Sequence, residues 1–236
     1  NYFQPFTMAV NTFPDDVEVR IGWRKLQAGV DYLVASYSGD CEGKYRLVRL
    51  DKSILSDSKE LKKFIKKDLS DTYVLFDTVG MHYKKDDYFP VSVLRFNALK
   101  ARGIVEVFDK NLTYYPSRMQ ENFAHIQVKR DALPICKRKI KVDIDARFRP
   151  HYQTQNVAGF IKGQTDSFVV FTAHYDHVGM MGDNCYFPGA HDNASGVSMA
   201  LDLARHFSNK KPAYNIAFLF FSGEEAGLLG SKYYTQ

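Results

Sequence analysis

Apolar residues in this chain fall in short runs broken by polar turns, and the two most telling runs lie near its end. Phe168–Thr172 and Ile216–Phe221 are brief, rich in β-branched and aromatic residues, and bounded by polar turns. That is the pattern of buried parallel strands. Between them Val197, Ala200, Leu201, Ala204 and Phe207 recur at helical spacing, which predicts a helix over about Asn193–Ser208. The expected order is strand, helix, strand, helix.

Upstream the pattern is more finely divided. Tyr32–Ala35, Tyr45–Leu50, Tyr73–Phe76 and Ile104–Phe108 read as strands. Asp57-Ser58-Lys59-Glu60 is a capping box ahead of a helix striped by Leu61, Phe64 and Ile65. A second helix is expected over Val91–Ala101, after Pro90. Ile140, Val142, Ile144, Ala146 and Phe148 alternate as in a half-buried strand. A turn-rich connection, Arg149–Gln155, separates it from a strand at Asn156–Lys162. The two strands read as a hairpin leading into the Phe168 strand. Asn1–Val10 fits the end of a helix or an edge strand, and Pro14-Asp15-Asp16 is a turn.

The chemistry sits where the late strands end. His174 and Asp176 follow the first run, and Glu224 and Glu225 follow the second. In open α/β sheets sites form off the carboxyl ends of the strands. His174, Asp192 and Glu225 are candidate metal ligands of the hard or borderline kind. Asp176 is spaced to accept a hydrogen bond from the other nitrogen of His174 and fix its tautomer. Asp192 stands at the helix start, where its two oxygens can bridge two cations. Glu224 and Glu225 are adjacent and point apart, so one can bind metal while the other moves a proton of activated water. Taken singly, each feature has an ordinary explanation: a surface His-x-Asp pair, a solvated Glu-Glu pair, an aspartate N-cap. Three such groups, each at the end of an element of one βαβ unit, favour a metal site.

Ala-His-Tyr-Asp at 173–176, Gly-Ala-His-Asp-Asn-Ala-Ser-Gly at 189–196 and Phe-Ser-Gly-Glu-Glu-Ala-Gly-Leu-Leu-Gly-Ser at 221–231 together resemble the co-catalytic zinc aminopeptidases. That family includes secreted bacterial leucyl aminopeptidases, glutamate carboxypeptidase II and the transferrin receptor. Asn156–Gly163 and Asn1–Thr7 resemble it more weakly. The resemblance implies an α/β fold: a mixed, mostly parallel sheet flanked by helices, phosphorylase/hydrolase-like, with a smaller α/β domain inserted. It implies two zinc ions. His174 would bind one, Glu225 the other, and Asp192 would bridge them. Glu224 would be the catalytic base and then the acid, with Asp176 supporting His174. It also implies a cis peptide after Asp192 and a secreted or periplasmic location.

In that family further ligands, an Asp and a His, come well after the Glu-Glu pair, whereas this chain runs only 11 residues past Glu225. The expectation is a fragment of a longer enzyme, with two protein ligands per metal and little activity alone. The catalytic domain is expected at 1–16 and 134–236, and the insert at 17–133, where order and length resemble a protease-associated domain. The favoured activity is removal of N-terminal residues from peptides. Glutaminyl cyclisation with one zinc and a non-catalytic binding homologue are the alternatives.

Composition changes this little. The chain has 236 residues, 45% of them hydrophobic and 25% charged, with a net charge of +5, ordinary for a folded soluble domain. Lys137, Arg138, Lys139 and Lys141 form the one modest basic cluster, read as a solvated strand edge rather than a nucleic-acid surface. No apolar run reaches the length of a membrane-spanning helix. Cys41, Cys136 and Cys185 are odd in number, lack metal spacing and leave the redox compartment open; Cys185 fits a packing or a reactive role equally. His82 and His125 read as surface or hydrogen-bonded histidines.

Overall fold

The computed structural model describes residues 2–77, 93–109, 111–134 and 137–236. His82, Cys136 and the start of the Val91–Ala101 helix lie outside the described residues. The strands in chain order are β1 (Phe3–Thr12), β2 (Val17–Ile21), β3 (Arg24–Lys25), β4 (Tyr32–Val34), β5 (Cys41–Leu50), β6 (Thr72–Asp77), β7 (Gly103–Phe108), β8 (Ala124–Lys129), β9 (Lys139–Ile144), β10 (Arg147–Ile161), β11 (Phe168–His174), β12 (Met180–Met181), β13 (Cys185–Tyr186) and β14 (Asn215–Phe221). The helices are α1 (Lys52–Ser56), α2 (Ser58–Ile65), α3 (Ser195–Phe207) and α4 (Leu229–Tyr234). None of the described helices is long and apolar enough to cross a membrane.

Two principal sheets form. The first has the order β1-β10-β14-β11, with β11 and β14 parallel and the other pairs antiparallel. The class is therefore mixed α/β, as expected, but the sheet is not mostly parallel in this chain. The reason is β10. Its first part pairs with β1 and its last five residues pair with β14. The turn-rich Arg149–Gln155 is thus strand, because β1 supplies its ladder partners from Thr7↔Gln153 to Val10↔Arg149. Pro150 falls where the register shifts between Met8 and Val10, a bulge at which its missing N–H breaks no ladder bond. Of the Asn1–Val10 segment, Asn1 lies outside the described residues and Phe3 onward is an edge strand.

The second sheet has the order β3-β2-β9-β5-β6-β7-β8-β4. β6 is apolar from Tyr73 to Phe76 and buried on both faces there, as that continuous run requires. Tyr73 and Leu75 face one core, whereas Val74 and Phe76 join Phe64 of α2, Leu94 and Leu99 in the other. Asp57 caps α2 by accepting from Lys59 N at 2.8 Å and Glu60 N at 3.2 Å. Val93–Arg95 is helical, but the chain turns from Phe96, short of Ala101.

The second sheet takes in residues beyond 133. β9 pairs with β2 and β5, and Ile140, Val142 and Ile144 are buried in the second sheet's core. The strand ends at Ile144 and makes no hairpin with β10. Lys139 and Lys141 lie on this inner strand, not on an edge.

Inside the second sheet His125 is fully buried. Its Nδ1 lies 2.5 Å from the Tyr37 hydroxyl, and its Nε2 lies 3.2 Å from Glu106 Oε2 but off the hydrogen-bond line. Arg95 clasps Glu106 through Nε and Nη2. Burial alone pushes the Glu106 carboxyl up, yet His125 and Arg95 outweigh it, and its pKa falls below the ordinary 4.5. A depressed carboxylate stabilises the fold above its unfolded pKa, and that contribution is lost as pH falls through the folded value. Glu106→Gln should therefore cost about 2–3 kcal/mol at pH 7, measured by urea unfolding. The difference should narrow at a pH below the depressed folded value, where the native carboxyl is itself neutral. An equal difference at both pH values would contradict this account.

Candidate metal centre

The site is built at one rim of the first sheet. β11 and β14 run parallel, with His174 opposite Phe221, and Tyr175 N donates to Phe221 O at 2.9 Å. Both strands thus end at the same edge. β14 is half-buried, but β11 is a largely exposed edge strand rather than the buried one its composition predicts. α3 packs on the pair through Ala200, Leu203, Ala204 and Phe207, with Leu201 outside.

Asp176 organises the rim. Its Oδ1 accepts from Glu224 N at 3.1 Å and its Oδ2 from Glu225 N at 3.2 Å. His174 Nδ1 lies 3.1 Å from the Asp176 backbone carbonyl and 3.8 Å from its carboxylate. The acceptor that orients His174 is therefore the carbonyl, while the side chain holds the Glu-Glu turn. With Nδ1 donating, Nε2 is left as a lone pair for a metal.

That nitrogen faces Asp192. Nε2 lies 2.9 Å from Asp192 Oδ1 and 3.9 Å from Glu224 Oε2. Asp192 sits in a turn over Ala190–Ala194 that leads into α3, and the Asp192–Asn193 peptide is cis. Asn193 Oδ1 accepts from Gly196 N at 3.0 Å, holding the start of α3 against this turn. Glu225 meets a residue the sequence reading passed over: His177 Nδ1 lies 2.8 Å from Glu225 Oε1. Its closeness to His174 in the chain was the available signal. Gly189 makes room for His177. It has φ +61, and a Cβ there would lie 2.7 Å from the imidazole.

A second unforeseen residue is Asn156, buried on β10. Its Oδ1 accepts from Ser222 N at 3.2 Å, and its Nδ2 donates to Gly230 O at 2.8 Å and to Gln4 Oε1 at 2.9 Å. It locks the loop carrying Glu224 and Glu225 to the start of α4. Phe6 stacks on Tyr233 at 5.2 Å and fastens α4 to β1.

The donors are imidazole nitrogen and carboxylate oxygen, the set zinc prefers. Two donors ~2.0–2.1 Å from a tetrahedral zinc stand roughly 3.3 Å apart. His174 and Asp192 are a small side-chain adjustment from that spacing. Among the described residues no group of three or more His, Cys, Asp or Glu is arranged to hold a metal.

The loop between His177 and Gly189 leaves the rim and enters the insert. Met181 and Cys185, on the β12–β13 hairpin, are buried in the second sheet's core. Val34 N lies 3.2 Å from Met181 Sδ, and Phe187 stacks on Tyr114 at 4.8 Å. Burial raises the Cys185 thiol, so this cysteine packs rather than reacts.

The family model for peptidase family M28 matches residues 156–236. A probable zinc metalloprotease of Pyricularia oryzae is 41% identical over 85 residues, 34% of this chain and 17% of that protein. Aminopeptidase YwaD of Bacillus subtilis is 39% identical over 84 residues, again 34% and 17%. The match thus spans about a sixth of those relatives. Among solved structures, a zinc aminopeptidase from Bacillus subtilis superposes with a TM-score of 0.61 at 20% identity, covering 98% of this chain and 53% of that one. An aminopeptidase from Aneurinibacillus sp. strain AM-1 gives 0.57 at 23%, covering 98% and 55%. Those likenesses show the fold, across both sheets, and the M28 match carries the motifs.

Asp176→Ala removes the acceptor for two backbone N–H groups at the rim. It should destabilise the protein by about 2–3 kcal/mol, measured by denaturant midpoint. Asp176→Asn should fall between, because its amide accepts one N–H but turns a donor towards the other. An Ala variant as stable as wild type would show that Asp176 does not hold the turn.

Proposed function

We propose that this chain forms part of a zinc aminopeptidase acting on peptides, with two zinc ions in the working site. The convergence of His174, Asp192, Glu224, His177 and Glu225 at the C-terminal rim of β11 and β14 carries this reading. The names of the M28 relatives agree with it. His174 and Asp192 would hold one ion, and Asp192 with Glu225 the other. Bound zinc supplies Lewis-acid polarisation of the scissile carbonyl and acidifies water, from a pKa of 15.7 to about 7.

The chain's own residues do the rest. Glu224 takes a proton from the attacking water as the new C–O bond forms. It returns that proton to the amine nitrogen as the C–N bond breaks. Asp176, by fixing the Glu224 and Glu225 amides, sets where the two carboxylates point. The acidic rim also attracts the substrate's N-terminal amine. No observation favours glutaminyl cyclisation or a non-catalytic role. The same likeness carries the proposals that the insert is a protease-associated domain and that the protein is secreted or periplasmic.

In the full-length protein Glu224→Gln should lower kcat by about a thousandfold with zinc content unchanged by elemental analysis. Asp192→Asn should lower zinc content itself. Zinc loss in the Glu224 variant would mean that Glu224 and Glu225 have exchanged roles.

A further inference from the structure

A cavity of about 720 Å³ opens between the insert and the metal rim. Its wall includes Tyr37, Tyr114, Tyr115, Arg118 and Met119 from the insert and Ala226 from the M28 segment. Ala226 directly follows Glu225 in the chain, so the cavity wall includes the residue next to the rim's Glu-Glu pair. Its size is that of a ligand pocket, typically ~300–1,000 Å³.

The wall is firm behind and open in front. Tyr114 is stacked on Phe187, and the Tyr37 hydroxyl is bound to His125. Asn11, buried at the end of β1, ties both lining loops to the first sheet. Its N donates to Ser117 O at 2.8 Å, and its Nδ2 donates to Ser36 O and Ser38 O, each at 2.8 Å. Tyr115 and Met119, by contrast, are 65% and 58% exposed. They are large apolar groups without a place in either core. The charges differ in sign: the Arg118 cation lines the cavity, whereas Asp192, Glu224 and Glu225 belong to the rim.

We propose that this cavity binds the part of a peptide beyond the released residue, and that it favours an aromatic or aliphatic side chain there. The inference rests on the aminopeptidase reading for its substrate. A peptide's amine is drawn to the acidic rim and repelled by Arg118. The released residue therefore lies at the rim and the remaining chain on the insert side. There Tyr115 and Met119 cover the next side chain, and Arg118 pairs with the carboxylate of a short peptide. Burying one large apolar side chain contributes about 1.5–3 kcal/mol, which is roughly ten- to hundredfold in affinity.

The test uses the full-length protein and two readouts. One is the ratio of kcat/KM for Leu-Phe-Leu over Leu-Gly-Gly. The other is calorimetric binding of the product dipeptides Phe-Leu and Gly-Gly. Wild type should prefer the Phe peptides in both by about tenfold or more. The double variant Tyr115→Ala/Met119→Ala should bring both preferences close to one. Arg118→Glu should weaken Phe-Leu binding by about tenfold through charge alone. All three substitutions fall on exposed side chains, and thermal melting confirms that the fold is kept. Equal binding of the two dipeptides by wild type, or a preference that survives all three substitutions, overturns the subsite. Absence of hydrolysis alongside selective Phe-Leu binding that the substitutions abolish would instead remove the peptidase reading and leave the subsite standing.

Discussion

The parallel ladder between β11 and β14 is the constraint on which the site depends. Side chains alternate across a strand, so a slip of one residue would send every group to the opposite face. With His174 fixed opposite Phe221, the two loops leave the sheet side by side. Asp176 then reaches the amides of Glu224 and Glu225. These bonds lie beyond the ladder and extend its order into the loops. Asn156 does the same from the other side by bonding Ser222 and Gly230. The loop of the Glu-Glu pair is thus held by one acceptor on β10 and another just past the end of β11.

The cluster these bonds assemble is electrostatically costly. Four carboxylates, Asp176, Asp192, Glu224 and Glu225, are gathered with only two imidazoles among them. Asp176 is offset by two backbone N–H groups, and Asp192 and Glu225 each face an imidazole. Among the described residues Glu224 hydrogen-bonds to no side-chain cation, and His174 lies 3.9 Å from it. A divalent cation relieves such crowding more effectively than protonation, because it is shared among several oxygens.

The insert is joined to the site rather than merely attached to the chain. Met181 and Cys185 leave the segment between two site motifs and complete the core of the second sheet. The loop from His177 to Gly189 is therefore anchored at its tip by apolar burial and at its base by the rim. Moving the insert would pull on both His177 and the Asp192 turn. Asn11 ties the lining loops of the cavity to β1 in the same manner. The two sheets share side chains, so the cavity between them keeps its shape.

Much of the rim was legible in the sequence, because its residues lie at the ends of strongly patterned strands and local spacing is enough to place them. What was not legible depends on partners distant in the chain. Arg149–Gln155 carries turn residues, and only the presence of β1 makes it strand. β9 alternates as any half-buried strand does, and nothing in the alternation says which sheet it joins. His177 looks like a loop histidine until Gly189 lets it approach Glu225. β11 shows the converse. Its composition is that of a strand covered on both faces, yet Phe168, Val169 and Val170 remain exposed beside α3. Apolar pattern reports how much cover a strand calls for, not which segment supplies it. In β11 that requirement exceeds what α3 and β14 provide, which makes this edge the part of the fold where further packing would stabilise most.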